Sequence, residues 1–479
     1  MNRSFSIRCF NLIALYTIIL MISCGESTDS TLKQLPSVGK PEVGYDFLVN
    51  ENYVGCGIPV SVFEPGVSAL NIYSKIGGHD SNLYPEISGR NELNKDVSFF
   101  ANRTIGPDGV DMVSPNCMLC HSQAVDGKTI VGLGNITFDY TIPFLKQAMQ
   151  ASPILTKNKA EREQLSRFTR IGKELAPYIR TSTVISNPAM QIAAVLGAHR
   201  DPYTLEWSDE AFLPMPSKDH APIDVPPWWR MKYRTSMFYS GEYRGVHRRP
   251  MMGSSALCID SVKDAEALDD DFVHVEAFVK SIEPPKYPFP IDRNLAAKGK
   301  TTFEQNCSRC HGNYHEDGRV EYEEEFIRIE DINTDRALME QQNWFWTTYK
   351  ILFEGFYGEL KDNVGTQQAY LAPPLVGIWA TAPFLHNGSI PNIAELLEPE
   401  ARPTYWLVND QLTFTEYDRE KLGWKYKPLK QGKDSTINPL KKSYIYDTTL
   451  PGYANHGHDY GKDLEKNERI AVLEYLKTL

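Results

Sequence analysis

Cys307-Ser308-Arg309-Cys310-His311 decides the reading of this chain. It is a Cys-x-x-Cys-His run, the attachment signature of c-type haem. In such a run the two thiols form thioethers with the haem vinyl groups, and the histidine ligates the iron. The spacing has a mechanical reason. One short turn sets both sulfurs at the porphyrin edge and points the next side chain at the metal. The residues before the run fit. Asp292 is suited to cap a helix, and Leu295, Gly299 and Phe303 recur at four-residue intervals along one face leading into Cys307. The glycine lets another helix approach closely, and Phe303 supplies an apolar anchor.

The signature occurs twice, the second copy being Cys117-Met118-Leu119-Cys120-His121. Zinc would need four ligands, and the two Cys pairs lie much further apart than in a zinc ribbon. A thioredoxin-like redox pair does not call for His after the second Cys at both places. The expected cofactors are therefore two covalently bound haem c groups. Cys117, Cys120 and His121 would hold one, and Cys307, Cys310 and His311 the other, with His121 and His311 on the iron.

The first residues carry Arg3 and Arg8, then an apolar run from Cys9 to Ile22, then Ser23-Cys24. The run is short for a membrane span and reads as a secretory signal. Met21-Ile22-Ser23-Cys24 resembles a bacterial lipoprotein cleavage box. The expectation is a lipoprotein-type signal peptide at 1–23, lipid on Cys24 and a polar tether at 24–42; ordinary signal cleavage is the alternative. Either places the protein outside the cytoplasm. The lipoprotein reading anchors it in the periplasm or at the outer membrane or cell surface, touching the membrane through its N-terminal lipid.

The chain has 479 residues and a formal net charge of −11. That balance excludes a nucleic-acid binder, which would be basic, and suits a redox partner protein with a basic face. Of the eight cysteines, Cys9 leaves with the signal, Cys24 takes lipid and four hold haem. Cys56 and Cys258 remain. In an oxidising compartment they pair as a disulfide or stay as buried thiols, and the sequence leaves both open.

Residues 43–116 are rich in Gly, Pro, Asn and Asp and read as loops with short helices at Leu70–Ile76 and Asn94–Ala101. Helical patterns follow at Ile142–Met149, Lys159–Tyr178, Pro188–Leu196, Asp271–Ile282, Ala337–Phe353, Asn392–Leu397 and Lys466–Leu476. The proline-rich run Glu283–Pro290 cannot continue a helix. The expected fold is mainly α with extensive irregular loops, in two haem-binding domains, 43–285 and 286–479. The second is cytochrome c-like with insertions, the largest at Arg402–Asp447. The acidic stretch Glu321–Asp331 reads as a solvated face.

Beyond the haem motifs, three stretches carry a resemblance: Pro285-Lys286-Tyr287-Pro288, the block Gly377-Ile378-Trp379-Ala380-Thr381-Ala382-Pro383-Phe384-Leu385-His386-Asn387-Gly388-Ser389, and Gly457-His458-Asp459-Tyr460-Gly461. The chain resembles the bacterial di-haem cytochrome c peroxidase superfamily, most of all its rubber-oxygenase-like di-haem c-type cytochromes. It departs from the peroxidases at Asn387, where they carry Asp. It also has no Met among Glu398, Pro399, Glu400 and Ala401, where many place an axial ligand.

Reactivity turns on the sixth iron position: a filled site transfers electrons, an open one binds oxygen or peroxide. His458 is the distal candidate for the second haem, by its place in a loop before the closing helix and by the resemblance, with His456 the runner-up. His386 reads as a hydrogen-bonding histidine near the haem edge. For the first haem, His199, His220, His247, Met231, Met237, Met251 and Met252 are all open. Phe238, Tyr239 and Tyr243 are candidates for a distal pocket, and Arg244, Arg248 and Arg249 for propionate partners. Trp228 and Trp229 are the tentative catalytic pair, between the haems or against a propionate, with core packing the alternative. The resemblance implies an open, reactive first haem beside apolar residues and an electron-supplying second one. The expected function is an exported di-haem c-type cytochrome in electron transfer, with oxidoreductase chemistry on oxygen or peroxide at the first haem. A small-molecule oxidant or an apolar substrate would be its reactant. The alternatives are a purely electron-transferring cytochrome and a cytochrome c peroxidase.

Overall fold

The helix Arg293–Asn306 forms where the spacing predicts it. The Asp292 carboxylate accepts from the backbone N–H groups of Asn294 and Leu295, each at 3.0 Å, which satisfies donors that have no partner inside the helix. Ala296, Gly299 and Phe303 form its buried face. The closing helix spans Lys466–Leu476 as expected. It opens on a capping box in which Glu465 and Glu468 exchange side-chain bonds with backbone N–H groups. The two helices cross at Gly299, where any Cβ would overlap the Ala471 carbonyl. Phe303 and Tyr475 then meet with ring centroids 5.2 Å apart, and the first helix ends one residue before Cys307.

The computed structural model describes residues 38–65, 87–106, 108–142, 154–255, 257–356, 365–366, 368–436 and 438–479. The signal region 1–23, Cys24 and the tether up to residue 37 lie outside them. So do the helix expected at Leu70–Ile76 and, past Ile142, the one at Ile142–Met149. No helix among the described residues is long and apolar enough to cross a membrane.

A second helix pair supports the first motif. Pro41–Asn50 lies on Val262–Ser281. The latter begins well before Asp271, because Ser261 caps it at Asp264 and its buried face already includes Ala265 and Leu268. A disulfide joins Cys56 to Cys258, with Cα atoms 5.5 Å apart across 202 residues of sequence.

The expected mainly α fold in two haem-binding domains is corrected. The described residues contain seven small sheets, and Gln34–Leu479 packs as one compact unit. Asn94–Ala101 is not a helix but a series of turns entering the strand Ala101–Ile105. That strand pairs with Asp111–Pro115, which delivers the chain to Cys117. The supposed insertion also folds inward. Tyr405–Leu407 pairs with both Lys427–Leu429 and Ile445–Asp447, and Trp406 stacks on Tyr446 at 5.1 Å. The strands have two to five residues, too few for an alternating pattern to register in sequence.

The crossing at Gly299 makes a direct prediction. Gly299→Ala forces a methyl group against the Ala471 backbone, which cannot rotate away. It should lower unfolding stability by about 1–3 kcal/mol, read from urea unfolding of the haem-loaded protein.

Candidate haem-binding site

The second motif occupies one helical turn, Ser308–His311. His311 Nδ1 lies 2.8 Å from the Pro373 carbonyl, a bond that fixes the ring and leaves Nε2 free to ligate. Tyr314 braces the same corner. Its hydroxyl donates to the His311 carbonyl at 2.7 Å and accepts from Leu375 N–H at 2.6 Å.

His458 faces His311, with ring centroids 6.1 Å apart and ring planes at 47°. Two metal–imidazole bonds of about 2 Å each place the ring centroids roughly 6 Å apart, so the spacing fits one iron held between them. Each ring keeps some accessible surface, but the protein packed around it still disfavours the charged form. That packing lowers the His458 pKa to about 3, helped by His311 and the Arg402 cation. His311 is also lowered, by burial first, and Arg230 adds to the effect. Both rings are thus neutral, the form that ligates metal. His456, the runner-up, is exposed.

At the first motif Asn116 caps the turn, its Oδ1 accepting from Met118 N–H at 2.9 Å. Tyr53 accepts from the backbone N–H of Cys117 at 2.6 Å, and the Tyr140 hydroxyl lies 3.2 Å from Cys120 Sγ. Burial pushes the thiols of Cys117 and Cys307 up to about 11, so neither resembles an activated redox cysteine. His121 stacks on Trp228, 4.6 Å centroid to centroid with planes at 21°. Its Nδ1 is buried with no partner among the described residues, and burial lowers its pKa to about 3.

The neighbouring tryptophans separate. Trp228 belongs to the apolar cluster that contains Met118 and packs against Cys117. Trp229 belongs to the cluster of Phe303 and the closing helix, and its indole N–H donates to the Val376 carbonyl at 2.9 Å. Both indoles are core residues, and between them they touch both motif regions.

Arg230 comes next in the chain and is buried. Nη2 donates to Thr381 Oγ1 at 3.2 Å, while Nε is buried with no partner among the described residues. Burial lowers its pKa to about 10 against the pull of Tyr239, Tyr314 and Asp224. The Asp224 carboxyl is itself raised by burial. A guanidinium with an unused N–H suits a carboxylate such as a haem propionate. The residues present therefore fit haem c at the second motif. The stacked, neutral His121 beside two half-buried thiols suits it at the first.

Other candidates are engaged elsewhere. His199 stacks on Trp207 with Nδ1 2.8 Å from the Ser208 carbonyl. His220 Nε2 lies 3.0 Å from the Arg180 carbonyl. His247 lies deep, its Nε2 3.4 Å from the Thr235 carbonyl. Arg248 and Arg249 share the Asp269 carboxylate at 3.0 and 3.2 Å, and Arg244 covers the Phe326 ring. Met237, Phe238 and Tyr243 sit in a different cluster around Trp346, and Tyr239 donates to the Asp224 carbonyl at 3.1 Å. Met231, Met251 and Met252 do gather with Trp228 near the first motif. His386 stacks on Tyr370 at 4.4 Å, and its buried Nε2 has no partner among the described residues. Sequence reasoning missed Pro373 and Arg230. A carbonyl acceptor carries no side-chain signal, and one arginine among many carries little.

The chain carries a RoxA-like, cytochrome c-like domain at residues 369–407, and haem c binding follows from it. The matched segment holds Pro373, Val376 and His386. Two proteins of Sinorhizobium fredii are similar to the chain. One, the uncharacterized protein y4iJ, is 28% identical over 263 residues, covering 41% of this chain and 41% of its own length. The other, the uncharacterized protein y4iM, is 27% identical over 264 residues, covering 49% and 56%. The chain spans about half the length of the curated relatives it matches.

His247 gives a pH prediction. Burial, then Lys280 and Arg234, lower its pKa to about 3 from 6.5. The unfolded chain then binds the extra proton, so the stability from neutral His247 is present above about pH 6.5 and is lost as pH falls toward 3. His247→Leu should make the acid-side fall in unfolding free energy shallower by up to about 1.4 kcal/mol per pH unit, measured by urea unfolding from pH 7 to 4.

Proposed function

We propose that this protein is an exported di-haem c-type cytochrome whose work is electron transfer. The observation that carries the reading is the His311–His458 pair, set 6.1 Å apart with His311 Nδ1 tied to the Pro373 carbonyl. Haem c supplies an iron that accepts and releases one electron. The chain's own residues do the rest. Cys307 and Cys310 would attach the second haem, and His311 and His458 would ligate it from both faces. That closed arrangement favours electron transfer over substrate binding. Arg230 would hold a propionate. Cys117, Cys120 and His121 would hold the first haem.

The path between the motifs runs through named contacts. His121 stacks on Trp228. Trp229 follows in the chain and donates to the Val376 carbonyl. Val376 lies three residues beyond Pro373, whose carbonyl meets His311. We assign Trp228 and Trp229 to this connection.

A second reading, oxygen or peroxide chemistry at the first haem, has one observation in its favour. Met231, Met251, Met252 and Phe272 make the neighbourhood of the first motif apolar, while His199, His220 and His247 are engaged elsewhere. Export with a lipid on Cys24 and a basic redox partner complete the proposal, resting on the N-terminal sequence and the net charge of −11.

A pyridine haemochrome assay should give two c haems per chain, and zero would end the reading. His458→Ala should open the second haem, so that the reduced variant takes up about one more carbon monoxide per chain than the parent. Equal uptake would remove His458 from the metal.

A further inference from the structure

Arg402 joins three segments of chain, and its side chain is only 4% exposed. Nε donates to the Glu395 carbonyl at 3.1 Å and Nη2 to the Leu396 carbonyl at 2.9 Å. Nη1 donates to the carbonyls of Asn455 at 2.8 Å and Gly457 at 2.9 Å, and lies 3.4 Å from the Asp459 carboxylate. Glu395 and Leu396 belong to the helix Ile393–Leu397, whose last carbonyls have no partner within the helix. Asn455, Gly457 and Asp459 belong to the loop that carries His458. One planar cation thus ties that loop to a helix end.

The loop needs such a tie. His458 sits at φ 53°, a left-handed conformation that L side chains rarely adopt. Gly457, at φ 82°, packs so closely on Ile332 and Asn333 that any Cβ would overlap their carbonyls. Further bonds hold the loop, among them Ala454 N–H to the Asp335 carboxylate at 3.2 Å and Asn387 Nδ2 to the Ala454 carbonyl at 3.0 Å. His458 N–H donates to the Ile332 carbonyl at 2.9 Å, and Asn455 Nδ2 to the Pro403 carbonyl at 2.9 Å. These act at single points on the loop. Among the described residues only Arg402 reaches carbonyls on both sides of His456 at once, and its fork of N–H donors is what allows it; a lysine ammonium lacks that planar geometry.

We propose that Arg402 is the positioning residue that holds the His458 loop opposite His311, so that the sixth position of the second haem stays closed only while the Arg402 bonds are made. This rests on the reading of His458 as axial ligand. Arg402 acts on His458 through the Asn455 and Gly457 carbonyls.

The test uses the haem-loaded full chain in three variants, Arg402→Met, Arg402→Lys and His458→Ala. The readouts are haem content, the visible spectrum and carbon monoxide uptake of the reduced protein. His458→Ala sets the ceiling, about one extra carbon monoxide per chain. Arg402→Met should keep the parent haem content and reach most of that ceiling. Arg402→Lys should fall between parent and Arg402→Met. Each opened variant should keep the parent far-UV circular dichroism and a cooperative urea transition, which a merely unfolded protein would not do. If Arg402→Met does not accumulate, Arg402→Lys decides: uptake above the parent supports the role, and uptake equal to the parent overturns it. Parent-like uptake in Arg402→Met beside an opened His458→Ala overturns the positioning role alone. An unchanged His458→Ala overturns the ligand reading and this role with it.

Discussion

Everything around the second motif depends on a glycine lying against a backbone carbonyl. With no side chain at Gly299, the helix Arg293–Asn306 settles directly on Ala471. That contact sets the distance between two helices and fixes where the first one releases the chain into Cys307. The closing helix transmits the constraint at both its ends. Before it comes the loop with His458. After it the Leu479 carbonyl accepts from Gly377 N–H at 2.9 Å, a few residues beyond Pro373. One crossing therefore places the motif histidine, the carbonyl that orients it and the histidine opposite.

The two motif regions are coupled by a short 3-10 helix, Trp228–Tyr233. Its first two side chains diverge into separate apolar cores, and the third, Arg230, lies among polar groups near His311. Gly132 pins the start of the turn to the first motif. Its N–H donates to the His121 carbonyl, and its carbonyl accepts from Trp228 N–H, both at 2.8 Å. Just beyond the turn the Glu324 carboxylate accepts from the backbone N–H groups of Thr235 and Ser236, at 3.1 and 2.9 Å, and from both their hydroxyls. Glu324 lies in a stretch that reads as solvated by composition. This one residue instead clasps the segment between the motifs, which charge density along a sequence does not reveal.

What the sequence made legible follows from range. Asp292, Gly299 and Phe303 form a helix whose cap, close contact and anchor lie within four turns, so local spacing suffices. Lys466–Leu476 is readable for the same reason. His458 was readable as a candidate because histidine is rare here and the loop precedes a clear helix. The small sheets were not, since Tyr405–Leu407 owes its pairing to segments twenty or more residues away rather than to any alternation of its own. Pro373 and Arg402 were hidden for a different reason. Each acts through backbone carbonyls, and hydrogen bonds to main chain leave no mark in residue type.

The most direct test of the account is the ligand count on the second iron. Pulsed electron paramagnetic resonance on oxidised protein carrying 15N-labelled histidine counts the coupled imidazoles. For the parent the account predicts a low-spin centre with two histidine nitrogens on its axis, and in the His458→Ala variant that centre has one. A parent protein whose low-spin signal shows a single axial histidine, unchanged by that substitution, would contradict it.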